Sequence, residues 1–467
     1  MSAPCQSYVL GLDLGTNSVK AVLVESKSRI LVNTQTRDTL ASAPSQDGEQ
    51  AREQDVSRIV SALHQCLAAL PGNRLHKVVR VGISGQMHGV VLWAAKAGCS
   101  WQASADGLTF LPEQVSQLVT WQDGRCNSEF LASLARPDSH ILPSTGFGCA
   151  TLFWYLRNRP GFLKPYSAAG TIHDYVVAML CGLEKPLMSP HNAASWGYYN
   201  TKSGSWNLQI LGDAGFPTWL LPTVVEPGTV AGQTCSEWCG VPQGTDVGVA
   251  FGDFQAAVYS CMKEKTDAVL NISTSAQLTF APAPGFEPPA QPNPGAAVAY
   301  VPYFDGTHLA VAAALNGGNV LSTFVRTVTQ WMQELGLDAP AEPIIYSHLI
   351  DAARDLPHTD LTIQPTLLGE RHLPGQLASV LNISPTNLSL AHLTRALCRG
   401  VVENIHSMLP CRQLVEAGVR RILGSGSALL RNEVLRQEVE KAFPLPIQYE
   451  QETDSAFGAA LAMMGKQ

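Results

Sequence analysis

Three carboxylates in this 467-residue chain sit where an acid is costly unless it is paired or used. Asp13 lies inside the apolar run of Gly11-Leu12-Asp13-Leu14-Gly15-Thr16-Asn17-Ser18, directly before a turn. Thr16, Asn17 and Ser18 in that turn could present hydroxyls and backbone N–H groups to a phosphate. The plainer alternative is an ordinary hairpin turn whose Asp caps its own backbone. It is not a Walker A loop, because G-x-x-x-x-G-K-[ST] occurs nowhere in the chain. Asp253, in Phe251-Gly252-Asp253-Phe254, ends a strand pattern where a helix begins, the place at which open α/β sheets bind ligands. Its alternative is a helix N-cap, and the same choice applies to Asp174 in Ile172-His173-Asp174-Tyr175.

Gly424-Ser425-Gly426-Ser427-Ala428 is set between a strand and a helix, where small residues let backbone approach a nucleotide. It lacks the third glycine of the dinucleotide fingerprint, which leaves a plain strand-to-helix connection open. Trp121-Gln122-Asp123-Gly124-Arg125 groups an aromatic face, an amide, a carboxylate and a guanidinium. That set suits a polyhydroxyl ligand, or else it is a surface turn with an internal Asp-Arg pair. His88 follows another apolar strand. Cys235 and Cys239 are four apart and could seat one metal edge, but no second pair lies nearby, so two apolar fillers are expected.

The elements that would carry these groups alternate in type. Tyr8–Leu14, Val19–Glu25 and Arg29–Thr36 read as a three-strand meander, Asp55–Leu70 as an amphipathic helix, and Val78–Ile83 as a strand running into Ser84-Gly85-Gln86-Met87-His88-Gly89. The arrangement restarts near residue 247, with the strand 247–251, a helix 254–262, the strand 267–272, the turn Ser273-Thr274-Ser275 and the strand 276–280. Helix patterns at 389–408 and 432–442 with short strands at 421–423 and 447–449 complete an α/β chain. The Pro, Gly and Thr-rich segment 226–245 reads as the crossing between two units, 1–246 and 247–467. Residues 282–294 hold six prolines and read as a surface loop of the second unit.

Composition excludes several classes. Hydrophobic residues make up 45% and charged residues 15%, which fits a packed globular protein and neither a disordered chain nor a coiled coil. The net charge of -7, with no basic run longer than Arg420-Arg421, gives no footprint for nucleic acid or an anionic membrane. No apolar stretch approaches the ~18 residues a span needs, and the first residues read as neither signal nor transit peptide, so a cytosolic protein is expected. Eleven scattered cysteines with no C-x-x-C pair point to reduced thiols.

Taken in order, the segments around Asp13, Gly82–Gly89, Trp121–Arg125, Asp174-Tyr175, Gly252-Asp253, Asn271–Ser275, Gly369-Glu370-Arg371 and Gly424–Ser427 resemble the FGGY carbohydrate kinases over nearly the whole chain. The resemblance implies two actin-like, ribonuclease-H-like domains with ATP and sugar meeting in a cleft between them. It further implies ATP-dependent phosphorylation of the terminal hydroxyl of a ketose, of seven carbons or alternatively five. A non-catalytic nucleotide and sugar binder of the same fold is the reading from another class. By the resemblance, Asp253 is the general base and a sugar contact, and Asp13 is the acid that engages Mg2+. Thr16, Asn17 and Ser18 form the first phosphate loop and Ser273, Thr274 and Ser275 the second. Gly317, Gly318, Gly424, Ser425, Gly426 and Asn432 lie at nucleotide positions. Met87, His88, Trp121 and Asp123 lie at sugar positions. The chain departs from the pattern at Thr151, where the family usually has Lys, and at Ser273 and Ser275, where it commonly has glycine.

Overall fold

The computed structural model describes residues 6–104, 107–449 and 454–465. Its first sheet begins with a meander of β1 (Tyr8–Leu14), β2 (Ser18–Glu25) and β3 (Leu31–Asp38), antiparallel throughout. The helix α1 (Val56–Ala68) then crosses the sheet, and β4 (Val78–Gly85) returns parallel to β1. Asp55 caps α1, accepting from the Ser57 amide at 2.8 Å, and its apolar stripe Val56, Ile59, Val60, Leu63 and Leu67 is buried on the sheet. β1 reads as an almost unbroken apolar run because both faces of the sheet are covered.

An inserted unit follows, with its own core of Leu92, Phe153, Trp196, Tyr198 and Phe216. The helix α2 (Ile172–Cys181) within this stretch packs instead on the first sheet, burying Ile172, Tyr175, Val176 and Leu180 in the first core. The chain then rejoins the first sheet through β5 (Val230–Gln233), β6 (Asp246–Gly248) and β7 (Phe251–Gly252), the last two parallel to β4. Two expectations are corrected here. Segment 226–245 is no crossing, because it contains β5 and buries Trp238 and Val241 in the first core. The strand near 247 belongs to the first sheet, and a boundary between 246 and 247 would cut β6. Short strands interrupted by Pro and Gly conceal this pairing in the sequence.

The helix α3 (Asp253–Cys261) leads to the second sheet. There β8 (Asp267–Ile272) and β9 (Ala276–Phe280) form a hairpin, extended by β10 (Val298–Pro302) and β11 (His308–Ala314). After helices that include α4 (Gly318–Glu334) and α5 (Leu390–Met408), β12 (Arg421–Ser425) pairs parallel to β8. The helix α6 (Glu433–Ala442) precedes β13 (Ile447–Tyr449), parallel to β12. The orders β3-β2-β1-β4-β6 and β11-β9-β8-β12-β13 match in direction as well as sequence, so the duplicated α/β architecture is present. The restart lies at 267 instead of 247.

The last helix, α7 (Ser455–Met464), turns back onto the first sheet. Gly11 in β1 and Gly82 in β4 have no side chain because α7 occupies that space: a Cβ at either would overlap the carbonyl of Ala456 or Ala459. Among the described residues no helix is long and apolar enough to cross a membrane.

Candidate active site

The ends of β1, β4 and β7 bring the first acids together. In the sheet register Asp13 stands opposite Lys20 on β2 and Ser84 on β4. Ser84 Oγ donates to Asp13 Oδ1 at 2.9 Å, and Lys20 Nζ pairs with Asp454, the N-cap of α7, at 2.7 Å. Asp253 occupies the first residue of α3, where Gly252 fills the cap position. The N-cap alternative is therefore not realised. Asp253 Oδ1 accepts from the Phe254 amide at 2.7 Å, and Ser455 Oγ donates to the Asp253 carbonyl at 3.0 Å.

Burial pushes the Asp253 carboxyl above the ordinary carboxylate range, and the Asp13 charge pushes it further. Burial also raises Asp13, with Asp454 adding to the shift while Ser84 and Lys20 oppose it. An acid raised by burial and by the charge of a second acid is a proton acceptor in waiting, and the two together are a seat for a cation. Lys20 and Asp454 line an open pocket of about 470 Å³ that Ser427 and Arg431 complete from the second half of the chain.

The two hydroxyl turns close in the same way. In the first, the Gly15 amide donates to the Ser18 carbonyl at 3.0 Å and the Thr39 amide to the Asn17 carbonyl at 2.9 Å. Thr16 Oγ1 accepts from Trp121 Nε1 at 3.0 Å, so the half-exposed indole lies on the turn. In the second, the Ser273 amide donates to the Ser275 carbonyl at 3.0 Å. The Gly318 and Asn319 amides at the start of α4 donate to the Ser273 and Thr274 carbonyls at 2.8 and 3.0 Å.

A Cβ at Gly317 would strike the Ser275 backbone. Gly426, at φ +95°, would strike the Ile272 carbonyl in the same way, and a Cβ at Gly424 would press on the Tyr449 ring. These glycines let three backbones converge beside Ser273, Thr274 and Ser275. Ser425 Oγ is buried there with no hydrogen-bond partner among the described residues. Asn432 is placed otherwise: it is 1% exposed, caps α6 by accepting from the Leu435 amide at 3.1 Å, and donates to Cys398 Sγ. The expected nucleotide contact at Asn432 is corrected to a buried cap.

Among the residues expected at sugar positions, Met87 packs on Gly252, directly beside Asp253. His88 has φ +73°, stacks on Phe147 with ring centres 4.6 Å apart, and lies 3.0 Å from the Ser195 carbonyl through Nδ1. A carbonyl can only accept, so Nδ1 carries the proton and Nε2 is the bare acceptor. Burial lowers its pKa and keeps the ring neutral.

Asp123 does not face the site. It is fully buried and accepts four hydrogen bonds, from Arg52 N, Arg125 N, Arg125 Nε and Arg125 Nη2. The Asp-Arg pair is thus internal, in the core and not at the surface, and the expected sugar contact is corrected to a structural acceptor. Arg125 goes on to Asp47, Glu53 and the Tyr155 hydroxyl, tying this segment to residues 47–53. Asp174 forms a capping box with Thr171 at the start of α2. Thr151 is buried with its hydroxyl unpartnered among the described residues. Cys235 is exposed and Cys239 buried, and no metal-holding group of three His, Cys, Asp or Glu residues occurs among the described residues.

Sequence reasoning assigned no role to Lys20, Ser84 or Asp454. Lys20 was legible in principle, since a tight hairpin turn after Asp13 sets the two residues opposite each other. Asp454 reaches the site only because α7 returns to the first sheet, and no local signal announces that.

Residues 8–260 match the FGGY family of carbohydrate kinases, N-terminal domain. The chain is 58% identical over 461 residues to sedoheptulokinase of Mus musculus, and 59% identical over 463 residues to that of Homo sapiens. Each alignment covers 97% of both chains. Among solved structures, xylulose kinase from Rhodospirillum rubrum superposes with a TM-score of 0.79 at 20% identity, over 97% of this chain and 89% of that one, which shows the common fold. By a family match spanning over half its length and relatives this similar from end to end, the chain belongs to the FGGY carbohydrate kinases.

Proposed function

We propose that the protein transfers the terminal phosphoryl group of ATP to the terminal hydroxyl of sedoheptulose, with Asp253 as general base. The observation that carries the chemistry is the pair of half-buried acids, Asp13 and Asp253, both raised by desolvation, with the Asp13 charge acting on Asp253. The full-length similarity to sedoheptulokinases supports the seven-carbon acceptor. The two sheets with their helices are the two lobes, joined by α3, and the cleft opens between them beside Asp253.

Phosphoryl transfer asks for positioning and charge neutralisation more than for covalent help. Asp253 takes the proton of the attacking hydroxyl, a role worth about 10² to 10⁴ in rate. Met87, His88 and Trp121 shape the sugar side, and the turns 16–18 and 273–275 with Gly317, Gly318, Gly424 and Gly426 hold the nucleotide. A magnesium ion, usually held by one or two carboxylates together with substrate phosphates, suits this acid-rich and cation-poor set. Asp13 is the residue to hold it, and its chemistry is to neutralise phosphate charge.

The deciding experiment is ADP release measured with sedoheptulose, xylulose, ribulose and glycerol. The highest kcat/KM is expected with sedoheptulose. A preference for xylulose would move the protein to the five-carbon branch, and release with no sugar at all would make it a binder.

A further inference from the structure

Gly369-Glu370-Arg371 is held with unusual firmness for a loop. Glu370 is 2% exposed, and its carboxylate accepts from the Leu315 amide at 2.8 Å, Asn316 Nδ2 at 2.7 Å and Asn404 Nδ2 at 2.8 Å. Asn316 also donates to the Gly369 carbonyl at 2.8 Å, and Gly369 sits at φ +66° where a side chain would strike Pro374. Leu315 and Asn316 lead straight into Gly317, which is pressed on Ser275. The clamp therefore fixes residue 371 relative to the second hydroxyl turn.

Arg371 itself is exposed, and its hydrogen bond is a long one, from Nη1 to the Ala313 carbonyl at 3.4 Å. Ala313 pairs with Gln277, one residue past the start of β9. No carboxylate is paired with Arg371 among the described residues, whereas Lys20 is already engaged by Asp454. Across the cleft its positive charge acts on His88, disfavouring protonation of that ring. The guanidinium thus lies beside β11 where that strand pairs with β9, just past the second phosphate turn, and near enough to the sugar loop for its charge to reach His88.

We propose that Arg371 supplies positive charge to the phosphoryl group in flight, reaching it from the second lobe as the cleft closes. This rests on Asp253 being the base. In the step, the sugar O–H proton passes to Asp253 and the oxygen forms a bond to the terminal phosphorus. The bond from that phosphorus to the bridging oxygen breaks, and its electron pair leaves on ADP. Arg371 makes and breaks no covalent bond, and its five donors suit the equatorial oxygens.

The test is steady-state kinetics of Arg371→Ala, Arg371→Lys and Arg371→Gln with ATP and sedoheptulose. Removal of one such donor is expected to lower kcat by about 10² to 10³, with both KM values little changed. Lys should restore part of the loss, and added guanidinium ion should raise the rate of the Ala variant but not of the parent. A merely structural residue would give no such rescue. An unchanged kcat, or a raised sugar KM at unchanged kcat, overturns the proposal; the latter would make Arg371 a sugar grip. If Ala does not fold, the Lys and Gln variants decide by the same criteria. A parent inactive on every sugar would sink the functional reading, whereas an active parent with indifferent Arg371 variants would sink this inference alone.

Discussion

At the scale of the residue, the cleft is defined by acids placed where water cannot stabilise them. Asp253→Asn keeps the shape of the side chain and removes the proton acceptor. It is expected to bind sugar and ATP in calorimetric titration while losing about 10² to 10⁴ in kcat. The pH dependence of the parent has a definite sign. A protonated Asp253 cannot act as base, so kcat/KM falls as pH is lowered. Because burial and Asp13 raise its pKa, the fall begins at a higher pH than an ordinary carboxylate would give. The same shift makes ionisation unfavourable in the folded state, so the pair's contribution to stability declines as pH rises through their native pKa values. A pH–rate profile whose acid limb lies in the ordinary carboxylate range would contradict this. Asp13 and Asp253 were legible in the sequence because a charge inside an apolar run demands a reason. Asp123 was misread because an acid two residues from an arginine looks alike whether the pair is a wet turn or a dry core clamp.

At the scale of the element, that clamp is what fixes the Trp121 segment against the first hydroxyl turn. The Arg125 side chain is 1% exposed and serves Asp123, Asp47 and Glu53 at 2.8, 2.9 and 2.6 Å, with Tyr155 at 2.7 Å. The attraction must repay the desolvation of four ionised groups, so an intact cluster adds little net stability. Removing its buried cation is another matter. Arg125→Met leaves Asp123 and Glu53 uncompensated, with Asp47 still held by the half-exposed Arg159, and is expected to cost about 3 to 5 kcal/mol, read as a lower urea midpoint. Because Trp121 Nε1 holds Thr16, the surviving folded fraction should also show a raised KM for substrate. A midpoint within error of the parent would mean the acids find other partners. Elements whose apolar period is long, such as α1 and α5, were readable from spacing alone. β5 and β6 were not, since strands of four and three residues broken by Gly carry too little pattern to reveal which sheet they join.

At the scale of the molecule, the chain leaves the first sheet through α3 and after the second sheet is back on the first at α7, and the two helices lie against each other so closely that Gly458 has room for no side chain beside the Ala256 carbonyl. α7 covers the back of the first sheet, burying Ala456, Ala459, Ala460 and Met463 against Val9, Val22, Val24 and Phe251. Its N-cap Asp454 meanwhile holds Lys20 in the cleft. The first half is therefore incomplete without Asp454 and the helix α7 that follows it. Ending the chain after Tyr449 should strip one face of a sheet that needs two and leave Lys20 without its partner. The truncated protein is expected to lose cooperative thermal unfolding of the first half, seen by calorimetry as a lowered unfolding enthalpy, and to bind hydrophobic dye. The subtler variant Met463→Asp places a charge against Gly82 and Gly248 and should lower the melting temperature of the whole protein, not of one lobe. Two separately melting units in the parent, with only one shifted by Met463→Asp, would show that the returning helix does not join them. A single shifted transition would show that the platform carrying Asp13 and Asp253 is built from both ends of the sequence at once.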